Sequence, residues 1–151
     1  MDKLLSPKDL STRRQKWAGR RLVLTNGCFD LLHGGHVRLL QTARSYGDGL
    51  WVGLNGDRSV RQLKGPSRPL REEKERAYIL SALACVDGVF IFDGPTLAKE
   101  ILLVKPEVYV KSSDYTLETL HPEEREALQR GGTEIRFVSL LEGISTTGLV
   151  T

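Results

Sequence analysis

Short apolar runs separated by helical patterns constrain this 151-residue chain most. Leu22–Asn26, Leu50–Asn55, Gly88–Phe92, Glu107–Lys111 and Glu134–Ser139 each read as a strand. Val37–Tyr46, Glu72–Ala84, Thr96–Val104 and Pro122–Arg130 place apolar residues at helical spacing between them. A short helix over residues 6–18 precedes them, with Ser6 as its cap and Pro7 in its first turn. Gly56–Leu70 reads as a loop. Strands alternating with helices form a parallel sheet covered on both faces. Right-handed crossovers then predict an α/β fold: a single doubly wound, Rossmann-like, five-stranded parallel sheet with helices on both faces. In such a fold the ligand crevice lies at the carboxyl ends of the strands. The length suits one core, so residues 1–151 are expected to form one domain, with 1–20 as an N-terminal helical extension. Ser145-Thr146-Thr147 opens a last helix that Thr151 cuts short, and a longer native helix is expected.

Composition narrows the partners. With 40% hydrophobic and 27% charged residues the chain is ordinary globular protein rather than disordered. No apolar run reaches membrane-spanning length and the N-terminus has no signal-peptide pattern, so no membrane association is expected. Two cysteines make no disulfide framework, which points to a cytoplasmic protein. The net charge of +3 comes without dense basic runs interleaved with aromatics, so no nucleic-acid partner is expected.

The stretch Thr25-Asn26-Gly27-Cys28-Phe29-Asp30-Leu31-Leu32-His33-Gly34-Gly35-His36 sits between the first strand and its helix. A helix start presents unpaired N–H groups and the positive end of its dipole, which gather phosphate. Gly34 and Gly35 leave the backbone open to a ligand, and His33 and His36 add donors. A helix cap with packed rings is the plainer alternative for the two histidines. A metal site of His33, His36 and Cys28 has no evident fourth ligand. The chain contains neither G-x-x-x-x-G-K-[ST] nor a G-x-G-x-x-G turn after its first strand, which disfavours P-loop enzymes and dehydrogenases.

At these residues the chain resembles the cytidylyltransferase-like nucleotidyltransferase superfamily, marked by H-x-G-H after a G-[TC]-F-D turn. Leu63-Lys64-Gly65, Ser67-Arg68-Pro69, Glu75-Arg76, Val86-Asp87, Val110-Lys111-x-x-Asp114-Tyr115 and Glu142-Gly143-x-Ser145-Thr146-Thr147 follow in order. They are similar to the motifs of ADP-heptose synthase adenylyltransferase domains, over about residues 20 to 149. The resemblance implies transfer of AMP from ATP to a sugar 1-phosphate, D-glycero-β-D-manno-heptose 1-phosphate in that family. The acceptor oxygen attacks the α-phosphate in line, without a covalent enzyme intermediate. Glycerol-3-phosphate cytidylyltransferases share H-x-G-H and E-G-x-S-T-T, so a transferase using CTP or GTP is the alternative within the class. A nucleotide-binding regulatory module is the alternative outside it.

The resemblance implies His33, His36 and Lys64 as the catalytic set. It implies Asn26, Gly27, Cys28, Phe29, Gly35, Arg76, Ser145, Thr146 and Thr147 as nucleotide- or phosphate-binding. Asp30, Arg68, Lys111 and Asp114 are candidate contacts to nucleotide or sugar. Arg76 lines up with Leu80 and Leu83 on one helix face, so its charge needs either a phosphate or an acidic partner. Ser112 and Ser113 stand where the family usually has two glycines, which raises the question of a positive-φ backbone there. Mg²⁺ is expected from triphosphate chemistry, with Asp30 as a residue that could reach it. A nucleoside triphosphate and a sugar 1-phosphate are the expected partners, and the resemblance implies a homodimer.

Overall fold

The computed structural model describes residues 2–140. Five parallel strands, β1 (Leu22–Gly27), β2 (Gly49–Asn55), β3 (Gly88–Phe92), β4 (Val108–Ser112) and β5 (Glu134–Val138), form one sheet in the order β3-β2-β1-β4-β5. β1 is central, with Thr25 opposite Val52 on one side and Val110 on the other. The chain winds outward from β1 through β2 to β3, then returns to place β4 and β5 on the other flank. Strand order therefore reverses between β1 and β4, and a crevice opens there at the carboxyl edge.

Alternate strand residues feed two cores. On one face Val23, Val52 and Val110 pack with Leu39 and Leu40 of α2 (Gly34–Arg44) and Leu80 of α4 (Glu73–Ser81). On the other, Leu24, Trp51 and Tyr109 pack with Leu10 of α1 (Leu10–Gln15), Ile101 of α5 (Ala98–Val104) and Leu128 of α6 (Pro122–Arg130). The doubly wound, Rossmann-like arrangement expected from the alternation is the one observed.

Local differences have local causes. Residues 6–18 form a 3₁₀ turn, Pro7–Asp9, then the short α1. This N-terminal segment is bound into the fold: the Leu5 N–H donates to the Val89 carbonyl at 2.7 Å and Val89 N–H to the Lys3 carbonyl at 2.8 Å. It thereby pairs part of the β3 edge that would otherwise be open. The stretch expected as a loop, Gly56–Leu70, contains a helix, α3 (Asp57–Lys64). Its signal is weak because Val60 is buried while Leu63 is 64% exposed, so no apolar stripe shows in the sequence. α2 begins at Gly34, three residues before Val37, although glycine is a poor helix former. No helix among the described residues is long and apolar enough to cross a membrane. The Ser145-Thr146-Thr147 helix start lies outside the described residues.

Candidate active site

β1 delivers the chain to a tight turn at the crevice. Phe29 adopts φ +45°, a left-handed conformation costly for a non-glycine residue. The turn folds its ring back over Gly27, where an added Cβ would sit 3.0 Å from Phe29 Cε2. The same ring meets the His36 imidazole nearly edge-on, with centroids 5.6 Å apart. Phe29 is thus the buried support under His36, and glycine at 27 makes room for it.

The two histidines cap α2 reciprocally. His33 Nδ1 accepts from the Gly35 N–H at 3.1 Å, and His36 Nδ1 accepts from the His33 N–H at 3.2 Å. This is a capping box in which imidazoles replace the usual Ser/Thr and Glu. Gly35 is required here, because a Cβ would fall 2.9 Å from His33 Cε1 and 3.1 Å from the Leu140 carbonyl oxygen. The caps decide the chemistry. With each Nδ1 occupied as an acceptor, each neutral ring carries its proton on Nε2, a tautomer that follows from the hydrogen bonds. The ring centroids lie 3.9 Å apart and both rings line the crevice. Burial first, then the charges of His33 and Lys64, push the His36 imidazole down to about 4. At neutral pH it is an uncharged donor.

A proton NMR titration of the free protein is therefore expected to place the His36 midpoint near 4, and a midpoint at the ordinary 6.5 would show that the ring is not held neutral. The sign for stability follows. Between pH 6.5 and about 4 the unfolded chain takes up a proton at this residue that the folded chain refuses, so its contribution to stability falls with pH across that window.

The crevice has a volume of about 890 Å³. Asn26, Gly27, Cys28, Phe29, Asp30, His33, His36, Lys64, Arg68 and Lys111 all line it, so most of the residues singled out in the sequence come together there. Gly35 lies beneath His33. Asp114 is exposed and does not line the crevice.

Asp30 is spoken for. Its carboxylate accepts from Arg68 Nε at 2.9 Å, from the Leu70 N–H at 2.9 and 3.0 Å, and from the Arg71 N–H at 3.0 Å. Burial alone would raise its pKa, but the two backbone donors and the Arg68 guanidinium together hold it below the usual carboxylate value. A carboxylate whose lone pairs already accept N–H groups is a poor Mg²⁺ ligand. Among the described residues no cluster of three or more His, Cys, Asp or Glu is arranged to hold a metal. Asp30 instead ties the segment carrying Arg68 to the turn after β1.

Arg76 is 1% exposed and its guanidinium is committed within the protein. It donates to the carbonyls of Cys28 at 2.8 Å, Asn55 at 2.7 Å and Arg71 at 2.9 Å, and to Asp57 Oδ1 at 2.8 Å. Of the two partners open to it from the sequence, the acidic residue is present in the fold. Arg76 clamps the carboxyl ends of β1 and β2 to the segment that follows α3, and it does not line the crevice.

On the wall formed by β4 and the start of α6, Asn26 Oδ1 accepts from the Tyr109 hydroxyl and from Lys111 Nζ at 3.3 Å. Lys111 also lies 4.7 Å above the Tyr115 ring. Burial draws the Lys111 pKa down, while Glu124 opposes that shift. Ser112 ends β4 in register with Val138, and the Ser113 N–H donates to the Val138 carbonyl at 2.9 Å. Neither serine has a positive φ, so this backbone path does not require glycine. The sequence reading missed Glu124, which is 8% exposed and lines the crevice. Its signal was present: Glu124, Ala127 and Leu128 share one helical face, so a charge sits in a buried stripe.

Comparison with known proteins agrees with this geometry. The profile described as "Cytidylyltransferase-like" matches residues 24–147. The chain belongs to the cytidylyltransferase-like family. It is 51% identical over 138 residues to "Bifunctional protein HldE" of Geotalea uraniireducens, covering 91% of this chain and 28% of that protein. The corresponding protein of Geobacter metallireducens is 49% identical over 136 residues, 90% of this chain and 27% of that one. The chain thus spans little more than a quarter of the length of these relatives. Among solved structures, a lipopolysaccharide core biosynthesis protein from Thermoplasma volcanium superposes with a TM-score of 0.65 at 26% identity, over 80% of this chain and 96% of that one. A pantoate-beta-alanine ligase from Francisella tularensis gives 0.63 at 12% identity over 99% of this chain and 76% of that one, which shows shared fold alone. For this cytidylyltransferase-like chain, the profile covers the β1–α2 turn and every strand that lines the crevice.

Proposed function

We propose that this chain is an adenylyltransferase domain that transfers AMP from ATP to a sugar 1-phosphate, D-glycero-β-D-manno-heptose 1-phosphate, giving an ADP-sugar and pyrophosphate. The observation that carries it is the pair of imidazoles whose Nδ1 atoms are occupied by amides of the α2 start, leaving Nε2–H donors in a crevice at the strand-order reversal. An oxygen of the acceptor phosphate forms a bond to the α-phosphorus as the bond from that phosphorus to the bridging oxygen breaks, and pyrophosphate leaves. Such a reaction needs charge stabilisation and alignment rather than a protein nucleophile. His33 and His36 donate to the oxygens on which charge grows, the α2 dipole adds to them, and Lys64 and Arg68 hold the β- and γ-phosphates.

Mg²⁺ enters with the triphosphate as part of the substrate, consistent with its preference for phosphate oxygens and water, and no residue is assigned to it. Ser145, Thr146 and Thr147 belong to this proposal through the family motif, as does the homodimer. The cytoplasm, where ATP is available, is the compartment it implies.

Pyrophosphate release measured with ATP, CTP and GTP against heptose 1-phosphate and glycerol 3-phosphate tests the assignment. ATP with the heptose acceptor is expected to give the highest kcat/KM. Turnover confined to CTP and glycerol 3-phosphate would overturn the choice of substrates, and none with any pair would overturn the transferase reading.

A further inference from the structure

The two faces of the sheet bring opposite chemistry to the same crevice. α2, packed on one face, delivers His33 and His36, and the neighbouring Lys64 and Arg68 add positive charge. α6, packed on the opposite face, brings Glu124 from its first turn, with Glu118 just before it. One half of the crevice suits phosphate. The other bears the carboxylates of Glu118 and Glu124 beside Lys111, and suits groups that donate hydrogen bonds.

Glu124 is the buried member of that second half, at 8% exposure. Its Oε2 accepts from the Leu97 N–H at 2.7 Å, which anchors α6 to the start of α5. Oε1 receives no hydrogen bond from a described residue. The nearby cation, Lys111, donates to Asn26 rather than to Glu124. No buried side-chain oxygen among the described residues lacks a partner, so Oε1 opens to the crevice, where hydrogen-bond donors of a ligand can take the place of water. A sugar ring offers them as neutral hydroxyls, in keeping with the phosphate-binding half alongside.

We propose, resting on the transferase reading given under Proposed function, that Glu124 accepts hydrogen bonds from the hydroxyl groups of a sugar ring seated beside α6 and so selects a polyhydroxylated substrate. Either the ribose of the nucleotide or the acceptor sugar supplies those hydroxyls.

The test compares wild type with Glu124→Gln, whose side-chain carbonyl still accepts from the Leu97 N–H. Each is assayed for pyrophosphate release with ATP, 2′-deoxy-ATP and 3′-deoxy-ATP, and with the heptose acceptor and its single-deoxy analogues. In wild type, deleting the contacted hydroxyl is expected to raise KM about 10- to 100-fold, the range for a hydrogen bond to a charged group. Glu124→Gln is expected to show that loss with the full substrate and no further loss with the matching deoxy compound. Non-additivity in the ATP arm assigns the ribose, and in the acceptor arm the acceptor sugar. Additive losses in both arms, or a lowered melting temperature with KM unchanged, overturn the proposal. Calorimetric titration of the same ligands keeps the two readings apart. A wild-type chain that binds them without releasing pyrophosphate fails the transferase reading, whereas a Glu124→Gln chain that binds every analogue as wild type does fails this one.

Discussion

Replacing His36 with alanine is expected to lower kcat/KM by about 10²- to 10³-fold, the usual cost of deleting one preorganised donor to a developing oxyanion. The ring is neutral near pH 7, its Nδ1 is held by the His33 N–H, and Phe29 supports it from beneath. Its donor is therefore in position before substrate binds, and no reorganisation is needed as charge grows on the phosphate. The structural cost of the substitution is small. His33 lies at the exposed end of α2, so its freed N–H can turn to water, and loss of a cap interaction costs about 1 kcal/mol. Steady-state pyrophosphate release reports the rate and far-UV circular dichroism the fold. A rate equal to wild type would remove His36 from the mechanism. The double variant with His33→Ala is expected to lose less than the product of the single losses, because both donors serve the same phosphate oxygens.

Arg76→Met is expected to cost stability first. The substitution leaves the carbonyls of Cys28, Asn55 and Arg71 and the carboxylate of Asp57 without their donor in a place where the arginine side chain is fully covered. Breaking a buried, hydrogen-bonded charge network by removing one member costs about 3–5 kcal/mol. For a domain of this size that lowers Tm by about 6–20 °C. Asp57 keeps some access to water, which places the effect toward the lower end. Arg76→Lys retains the charge but cannot span four acceptors, so it is expected to recover only part of the loss. Urea unfolding of both variants measures the effect. A midpoint unchanged from wild type in Arg76→Met would show that the clamp contributes nothing to the fold.

These two residues mark different depths of legibility in the sequence. The histidine pair could be read because its geometry is local: a strand end, a glycine-bearing turn and a helix start lie within about a dozen residues. Arg76 could be read as buried from its place among Leu80 and Leu83, but its acceptors lie elsewhere in the chain, Cys28 being 48 residues away. Asp30 shows the same divide. A carboxylate beside a phosphate site suggests a metal contact, yet its partners 38 to 41 residues on make it the anchor of the segment after α3. α3 escaped notice because charged residues fill it and only Val60 and Ser59 turn inward. Glu124 escaped because a glutamate in the first turn of a helix is ordinarily a solvated complement to the dipole. Only its spacing from Ala127 and Leu128 said otherwise.

By itself the sequence determined the alternation of strand and helix, the parallel sheet that follows, the crevice at its carboxyl edge and the two histidines placed there. Those properties rest on periodicity, glycine positions and caps, interactions that close within a few residues. The tertiary structure alone decided which charges are consumed and which remain for a ligand. It committed Arg76 and Asp30 to the fold, kept Lys64 at the crevice, neutralised His36 by burial beside other cations, and brought Glu124 in from the opposite face of the sheet. Partners for a charge come from whatever the packed sheet brings near, and burial sets how strongly each is felt.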